Sequence, residues 1–433
     1  MKRAPLALLL LAGTAHANPA DLFGFGARAQ AMGGAQVAGA NDTSASYYNP
    51  ALLARSSDIR VDIGYQLAVP VLTVDGHDTN VDVSRGLALG LAVPGKLLGA
   101  HLAVGAGIFL PDQHITRTRT LSSSAPRFAL YDNRPQRLLL SANIAVTLPH
   151  GISAGAGIAY MSSTQGTVAL DGIVGFPDPA SSRLDLAIDV DLKTIRYPQV
   201  GLAWDVRRWL TLGVGYRGGF KLVLDQTFDV TGDIGTPGVD PLVSNGYLHL
   251  RTRAQDLFQP AQLTVGASAR MTPHWTVAFD LAWHRWSVFE NPAAHIDFEL
   301  DIGMFNELVD IPPQEPLPAP HFHDIAVPRL GVEYTRGHHH WRGGYVYEPS
   351  PAPAQRGATN FIDNDKHTLS LGAGLEKLGL GGIVLRPISF DVAVAATWMP
   401  ARDHEKLVAA DAIGDYRSAG FVLAASAMTR WRF

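Results

Sequence analysis

The sequence predicts an all-β transmembrane barrel of about fourteen antiparallel strands, and three observations support that fold class. Charged residues make up 17% of the 433 residues, whereas soluble domains usually contain roughly 25%. No apolar run after Leu11 reaches the roughly 18 residues that a membrane-spanning helix needs. The third observation is period-two alternation between breaks that are alternately short and long, which is typical of barrel strands. A hydrophobic chain without spanning helices can satisfy its backbone in lipid only by closing its strands.

Residues 1–17 have the organisation of a signal peptide. They contain, in order, a basic start, an apolar core and a small-x-small cleavage site: Lys2-Arg3, Ala4 to Gly13, and Ala15-His16-Ala17. The mature chain is therefore expected to begin near Asn18, outside the cytoplasm. The sequence contains no cysteine, so neither disulfides nor thiol chemistry is expected in that oxidising compartment.

The stretch from Gly26 to Leu53 reads GARAQAMGGAQVAGANDTSASYYNPALL and is dominated by small residues. It has too little bulk for the apolar stripe of an amphipathic core helix. Small residues suit a segment threaded through a confined space, where backbones approach closely. Asn49-Pro50 then predicts a fixed turn, because proline sets its own φ and moves the preceding residue out of the helical region. A Gly/Ala-rich linker before a soluble domain is the alternative interpretation.

This stretch resembles the N-terminal hatch of the FadL-type outer-membrane transporters of long-chain fatty acids and other hydrophobic compounds. The resemblance implies that residues 18–56 form a hatch with short helices that plugs the lumen of a fourteen-stranded barrel built from residues 57–433. It assigns the hatch motif to five residues: Gly33, Gly34, Asn49, Pro50 and Ala51. The C-terminal Phe433 resembles the terminal signature by which such barrels are recognised for insertion.

The connections along the chain predict the strand count. Seven long and six short connections give fourteen strands, an even number as outer-membrane barrels require, and the first short turn is predicted near Pro94–Lys96. The count treats Leu184–Val206, Leu210–Phe228 and Tyr247–Arg270 as single strands and places Ile296–Ile302 inside the fifth outer loop. A β-sandwich would also alternate, but it has no reason to separate short from long connections so regularly.

The two registers of each strand predict which side faces lipid. In the first strand Ile63 and Leu67 are expected to face lipid, and Asp62 to face the lumen. Several strands offer mainly small residues to the lumen, which suits a filled interior better than a wet porin channel. Among these residues, Gly105 and Gly107 are candidates for the strand kink that, by the resemblance, opens the barrel wall sideways. Packing against the hatch explains the same two glycines equally well.

The outer loops supply candidates for a ligand groove: Arg127, Phe128, Leu130, Tyr131 and Phe176. A hydrophobic ligand needs an apolar landing surface with a few polar groups that fix its head group. An arginine beside such a surface would pair with a carboxylate. The alternative is that these apolar residues hold the loops together over the barrel mouth.

The resemblance implies passive uptake of hydrophobic small molecules, with long-chain fatty acids as the expected cargo and aromatic hydrocarbons as the other class. The ligand would pass from the loop groove to a pocket above the hatch and leave by movement of the hatch or by lateral opening. The expected protein is a monomer in the outer membrane, in contact with its lipids. The net charge of −4 gives no support to nucleic-acid binding.

Two other classes of function stay open at this stage. One is a barrel that serves as a docking or secretion accessory for partner proteins, and the other is a barrel hydrolase. We expect no catalytic activity, no cofactor and no metal site. The adjacent histidines His338, His339 and His340 splay apart along a turn, so they do not predict a metal site.

Overall fold

The computed structural model describes residues 20, 23–97, 99–113, 125–131, 137–236, 238–308, 314, 316–380, 384–407 and 411–433. Two short helices come first, α1 (Ala27–Ala31) and α2 (Ala45–Tyr48), followed by a 3₁₀ helix at Pro50–Arg55. Further 3₁₀ turns lie at Pro149–Gly151, Pro179–Ser181, Trp286–Val288 and Gly303–Leu308. No helix among the described residues is long and apolar enough to cross a membrane.

The rest of the described chain is dominated by β-strands. In chain order they are β1 (Arg60–Val74), β2 (His77–Asp78), β3 (Ser84–Leu97), β4 (Ala100–Pro111), β5 (Arg127–Phe128), β6 (Leu139–Thr147), β7 (Ile152–Gly175), β8 (Arg183–Arg207), β9 (Leu210–Arg217), β10 (Phe220–Gly235), β11 (Val243–Gln259), β12 (Gln262–Arg270), β13 (Trp275–His284), β14 (His295–Asp301), β15 (Ile325–Arg336), β16 (His339–Glu348), β17 (Phe361–Ile362), β18 (Lys366–Leu380), β19 (Val384–His404) and β20 (Tyr416–Arg432).

Fourteen of these described strands pair antiparallel in one closed ring, which confirms the predicted fold class. The ring runs β1, β3, β4, β6, β7, β8, β9, β12, β13, β15, β16, β18, β19, β20 and back to β1. The seam between the last and the first strand is paired from Arg60↔Arg432 to Val74↔Ser418. Closure leaves no free strand edge within the ring, as a bilayer requires.

The prediction of single long strands is wrong for two stretches, because the structure divides each of them into two strands at the point where the chain leaves or joins the ring. The stretch Leu210–Phe228 breaks at Gly218-Gly219 into β9 and β10, and Tyr247–Arg270 breaks at Pro260 into β11 and β12. Proline lacks the N–H that a continuous ladder would need, and glycine weakens a strand where the chain bends. The stretch Leu184–Val206 is one strand, β8, as predicted.

Strands β10, β11 and β14 extend the long β7–β8 hairpin beyond the ring. β10 pairs parallel with the upper half of β7, from Gln226↔Gly166 to Gly235↔Gly175, and β11 pairs with β10 and β14. β14 lies in the long connection after β13, where the sequence placed Ile296–Ile302. The first short turn comes after the predicted Pro94–Lys96, since β3 and β4 stay paired as far as Leu97↔Ala100.

The lipid-facing register is as the sequence predicts. Ile63 and Leu67 are 47% and 38% exposed, whereas Asp62, next to Ile63, is 1% exposed. Across the ring, the exposed large residues are apolar or aromatic: among them are Leu87, Val104, Ile144, Val200, Leu263, Phe279, Leu371, Val394 and Leu423. The outer surface of the ring is therefore an apolar band, and the buried register lines the interior.

The N-terminal segment, residues 23–56, lies inside the ring. Its residues contact the inward register of all fourteen ring strands, from Thr43 against Asp62 of β1 to Gln30 against Ser426 of β20. A segment of this length can reach every strand of a ring only from within. Most of its residues are buried, and α1 is buried at all five positions.

Glycines in the wall make room for this segment. A Cβ at Gly213 would come 2.2 Å from the carbonyl oxygen of Val37, and one at Gly155 would come 2.5 Å from the backbone nitrogen of Ala51. These distances are shorter than any van der Waals contact, so no larger residue fits with the segment in place. Glycine here is required by the close approach of two backbones.

Replacing Gly213 by valine is expected to lower the stability of the barrel by about 1–3 kcal/mol, because the side chain would overlap the backbone of Val37. Thermal unfolding in detergent, followed by circular dichroism, measures the change. Gly95→Val is the matched control, since a Cβ at Gly95 meets nothing within 4 Å. Equal melting temperatures for the two variants would contradict the packing described here.

Candidate functional site

The Gly33-Gly34 turn passes close to the wall. Both residues have positive φ, +61° and +70°, a backbone conformation that other L-residues rarely adopt. A Cβ at Gly344 of β16 would lie 2.1 Å from the backbone nitrogen of Gly33. The Gly33-Gly34 pair therefore forms a turn whose backbone lies in contact with strand β16. Glycine is needed there because of the positive φ angles and because of this close contact.

The Asn49-Pro50-Ala51 triplet connects two parts of the N-terminal segment to the wall of the barrel by hydrogen bonds. The Asn49 amide donates to the carbonyl oxygens of Val37 at 2.6 Å and Leu202 at 3.0 Å. Its side-chain oxygen accepts the backbone N–H of Ala51 at 3.1 Å, which caps the 3₁₀ helix that Pro50 begins. The triplet therefore fixes the segment in a particular place on β8.

Asp280 of β13 is a second anchor. Its Oδ2 accepts the backbone N–H groups of Gln36 at 2.7 Å and Val37 at 2.9 Å, and the side chain is buried. Sequence reasoning missed this residue, because an inward-facing aspartate in an alternating strand looks like any other lumen residue. Only its position opposite two unpaired N–H groups reveals the role.

A third attachment is a chain of buried ion pairs, which we term the ion-pair girdle. It links two residues of the N-terminal segment to five of the wall: Arg28, Asp42, Asp62, Glu333, Arg342, Asp391 and Arg430. Arg28 pairs with Glu333 at 3.2 Å, and Arg430 pairs with Asp42 and Asp62, each at 3.0 Å. Since each charge is buried, removing one partner would leave the other uncompensated.

The environment of Asp42 holds its carboxylate ionised. Burial alone would raise the pKa of Asp42, but Arg430, Arg28 and two hydrogen bonds from Ser44 outweigh it and lower that pKa. The backbone N–H of Ser44 donates to Asp42 at 3.0 Å, and the Ser44 hydroxyl donates to the same oxygen. Asp42 is therefore a negative charge on the segment, matched by positive charges around it.

A cavity of about 80 Å³, partly open to solvent, lies inside the ring between the N-terminal segment and the strands around it, and we term it the outer cavity. Its lining combines apolar, aromatic and polar side chains: Phe23, Tyr47, Tyr48, Arg217, Arg329, Val346, Glu348, Thr368, Ser370, Ala395, Thr397, Val422 and Ala424. The guanidinium of Arg217 lies 4.0 Å from the centre of the Tyr47 ring.

The predicted groove residues fall into two places. Phe128, Leu130 and Tyr131 are 1–3% exposed and belong to a buried apolar cluster under the loops, which we term the loop cluster. Arg127 precedes them in β5, which pairs with β17. Phe176 does not join them, since it is 54% exposed at the end of β7.

The loop cluster and the outer cavity are continuous. The cluster contains Phe258, Trp286, Phe289, Phe322 and Phe361 together with the three buried groove residues, and Phe23, Val346 and Ala395 pack against it. Those last three residues also line the outer cavity, as do Val422 and Ala424 of the cluster. The buried loop cluster therefore packs directly against the lining of the outer cavity.

Gly105 and Gly107 lie in a strand without interruption. β4 pairs with β3 and with β6 in constant register across both glycines. A Cβ at Gly105 would come 2.5 Å from Leu53, and one at Gly107 would come 2.9 Å from the Ser46 hydroxyl. Both glycines thus face the N-terminal segment, and lateral opening at this place stays a prediction.

The described residues include no group of three or more histidine, cysteine or acidic side chains arranged to hold a metal ion.

A closed strand ring with an apolar outer band, a filled lumen and a cavity above the filling defines an outer-membrane transport barrel. The chain belongs to the family of outer membrane protein transport proteins that includes OMPP1, FadL and TodX, whose family model matches residues 8–378. No curated protein sequence matches the chain.

Three solved structures illustrate the likeness in fold. A Pseudomonas aeruginosa FadL homologue is 17% identical with a TM-score of 0.54, covering 96% of this chain and 97% of the homologue. The Pseudomonas putida toluene transporter TodX is 16% identical with a TM-score of 0.54, covering 95% and 99%. A structure described as the CymD monoaromatic hydrocarbon channel is 16% identical with a TM-score of 0.58, covering 95% and 98%.

Replacing Asp280 by alanine is expected to destabilise the seated N-terminal segment by about 2–5 kcal/mol, because two buried N–H groups lose their acceptor. Limited proteolysis of the segment in detergent, together with thermal unfolding, measures the effect. Asp403→Ala is the control, since that carboxylate is exposed. Unchanged protection of the segment in Asp280→Ala would contradict its role as an anchor.

The stability that Asp42 contributes is expected to depend on pH. Because the folded-state pKa of Asp42 is lowered, its contribution is complete above the ordinary value of about 4 and is lost as pH falls through the lowered pKa. Wild type should therefore exceed Asp42→Asn in melting temperature at pH 7, and the difference should shrink on acidification. A difference that is constant from pH 7 to pH 3 would count against this assignment.

Proposed function

We propose that this barrel is a passive uptake channel for hydrophobic small molecules, with long-chain fatty acids as its cargo. The observation that carries the proposal is the contact between the apolar loop cluster and the lining of the outer cavity. In this proposal an apolar molecule that enters between the loops moves among apolar side chains until it reaches the outer cavity. The solved relatives, a FadL homologue, a toluene transporter and a monoaromatic hydrocarbon channel, support hydrophobic cargo in general.

The polar side of the outer cavity favours a fatty acid over a neutral aromatic hydrocarbon. Arg217 and Arg329 line it together with Thr368 and Ser370. A guanidinium forms strong, directional hydrogen bonds with a carboxylate, whereas an aromatic hydrocarbon offers it only the weaker cation–π attraction. In this proposal the acyl chain lies on the apolar wall and the carboxylate lies toward the arginines.

Release in this proposal requires the N-terminal segment to act as a hatch. Residues 33–51 occupy the lumen below the outer cavity, and they are held by polar contacts from Asn49, Asp280 and the ion-pair girdle. Hydrogen bonds and ion pairs can break and reform, so the segment can move without unfolding the ring. An opening beside Gly105 and Gly107 is the alternative exit, and the uninterrupted pairing of β4 gives it no support.

The remaining parts of the proposal follow the sequence. Residues 1–17 would be a cleaved signal peptide, although residues 1–19 lie outside the described part of the chain. Residues 18–56 would form the hatch and residues 57–433 the barrel. The protein would work as a monomer in outer-membrane lipid, without cofactor or catalysis.

A disulfide between the segment and the wall tests the proposal. A Cβ at Gly39 would lie 3.5 Å from the Cβ of Ser268, which is within the range for a disulfide, and the chain has no other cysteine. Oxidised Gly39→Cys/Ser268→Cys protein should lose uptake of radiolabelled oleate by cells that lack another transporter, and reduction should restore it. Each single variant under the same oxidant is the control.

The other outcomes separate the alternatives. Uptake that persists in the oxidised protein would overturn release through the hatch and favour lateral exit. If wild-type protein supports no oleate uptake, the fatty-acid channel is wrong; a docking accessory would then be recognised by a secretion defect that the disulfide does not change. A hydrolase would be recognised by turnover of a lipid or peptide substrate by the purified protein.

A further inference from the structure

Above the ring, the long β7–β8 hairpin continues into a five-stranded sheet with the order β8, β7, β10, β11, β14, which we term the outer sheet. The turn of this hairpin lies at the end of the ring with the long connections, which is the outer side in an outer-membrane barrel. Pairing of β8 with β9 reaches only Gln199↔Arg217, whereas pairing with β7 continues to Ile173↔Arg183. Within the described chain, residues 183–197 of β8 therefore pair along one edge only.

This open edge of β8 lacks the usual protection of an edge strand. Strand edges are normally short, interrupted by proline or a bulge, or covered by another part of the chain. Here the register of β8 against β7 is constant, and no proline occurs between Arg183 and Tyr197. Residues 183–189 are all exposed, so no described loop covers them. An uncovered edge of this length is a template on which another strand can pair.

One face of the open edge is apolar. Leu184, Leu186 and Ile188 are 48%, 58% and 62% exposed. They share the register of Val200 and Leu202 further along the same strand, which lie in the apolar band of the ring, so they belong to the outward face of the sheet. An added strand with apolar side chains on this face would remove the three residues from water.

The other face of the open edge is acidic. Asp185 and Asp189 are exposed and form no ion pair with any described residue, and Arg183 on the same face forms none either. Asp185 lies directly opposite Asp171 of β7, which accepts a hydrogen bond from the uncharged Thr231 hydroxyl at 2.7 Å. Like charges at opposite positions of a strand pair are destabilising. A basic side chain on an added strand would offset that repulsion.

The opposite edge of the outer sheet does not share these features. β14 has only seven residues, and its carboxylate Asp297 already pairs with Arg253 at 2.6 Å. Its apolar residues Ile296 and Phe298 are partly buried. Short length and neutralised charge leave less for a partner strand to gain there.

We propose that the open edge of β8, at residues 183–189, is a docking site for an extended segment of a partner protein in which apolar and basic residues alternate. The inference goes beyond uptake and does not depend on the cargo. The backbone of the segment continues the ladder of the outer sheet, its apolar side chains lie beside Leu186 and Ile188, and its basic side chains lie beside Asp185 and Asp189. An acidic segment would be repelled, and a second copy of this chain brings the same aspartates to the edge.

The test measures binding of a fluorescent ten-residue peptide of alternating valine and lysine to the purified full chain in detergent, by fluorescence anisotropy. This peptide should bind. A peptide of alternating valine and glutamate should not bind, because it brings carboxylates against Asp185 and Asp189. A valine–lysine peptide with methylated backbone nitrogens keeps the side chains but has no N–H donors for the ladder, so it should not bind either.

Three variants separate the acidic face from the overall charge of the protein. Asp185→Asn/Asp189→Asn should weaken binding of the valine–lysine peptide about fivefold, as expected for the loss of two cross-strand charge pairs. Asp185→Glu/Asp189→Glu should keep the binding, since both charges remain. Asp240→Asn/Glu307→Gln changes the net charge equally at two exposed carboxylates in other outer loops, and this matched control should bind as wild type does.

A photoreactive residue at the centre of the valine–lysine peptide locates the site, and it should label residues 183–189. Four results would overturn the proposal: no binding of this peptide, equal binding of the glutamate or methylated peptide, labelling elsewhere, or an equal loss of binding in the matched control. A dimer of the purified protein that becomes stronger in Asp185→Asn/Asp189→Asn would overturn it as well, because the edge would then belong to a second copy.

Discussion

Close contact between the backbone of the N-terminal segment and the inner wall is the constraint on which the rest of the structure depends. A ring of fourteen strands encloses more space than its own inward side chains fill, and the structure fills it with a separate piece of chain. Wall glycines such as Gly155, Gly213 and Gly344 let two backbones touch. The same contact explains why the segment itself is built of alanine and glycine, because bulk on either side would separate them.

The polar contacts have a different role from the packing. Buried ion pairs add little net stability, since desolvation offsets much of the attraction, but they are specific for one arrangement of partners. The ion-pair girdle and Asp280 therefore select where the segment sits more than how firmly it is held. Such an arrangement suits a plug that must have one resting position and still be able to leave it.

The sequence was sufficient for the fold and for part of the site. The alternation of apolar residues predicted which side of strands such as β1 faces outward, and the lengths of the connections predicted the number of ring strands. Both patterns depend only on residues that are neighbours in the sequence. The division of Leu210–Phe228 was missed because β10 leaves the ring to pair with β7, a distant strand that no local pattern identifies.

The site shows the same limit. Gly33, Gly34 and Asn49 could be selected as candidates from the sequence, because a glycine turn and a proline are visible there. Asp280 was missed because its partners, the backbone N–H groups of Gln36 and Val37, reach it only after the ring has closed around the segment. Phe176 was grouped with Phe128 by composition alone, and the fold places the two apart.

The seam between β1 and β20 has a consequence for assembly. Arg430, Met428 and Ser426, which contact the N-terminal segment, all lie on the strand that completes the ring. The segment is joined directly to β1, the other side of the same seam. The N-terminal segment and β20 therefore meet at one place, and a ring that closes without the segment would lack Asp42, one of the carboxylates that pair with Arg430.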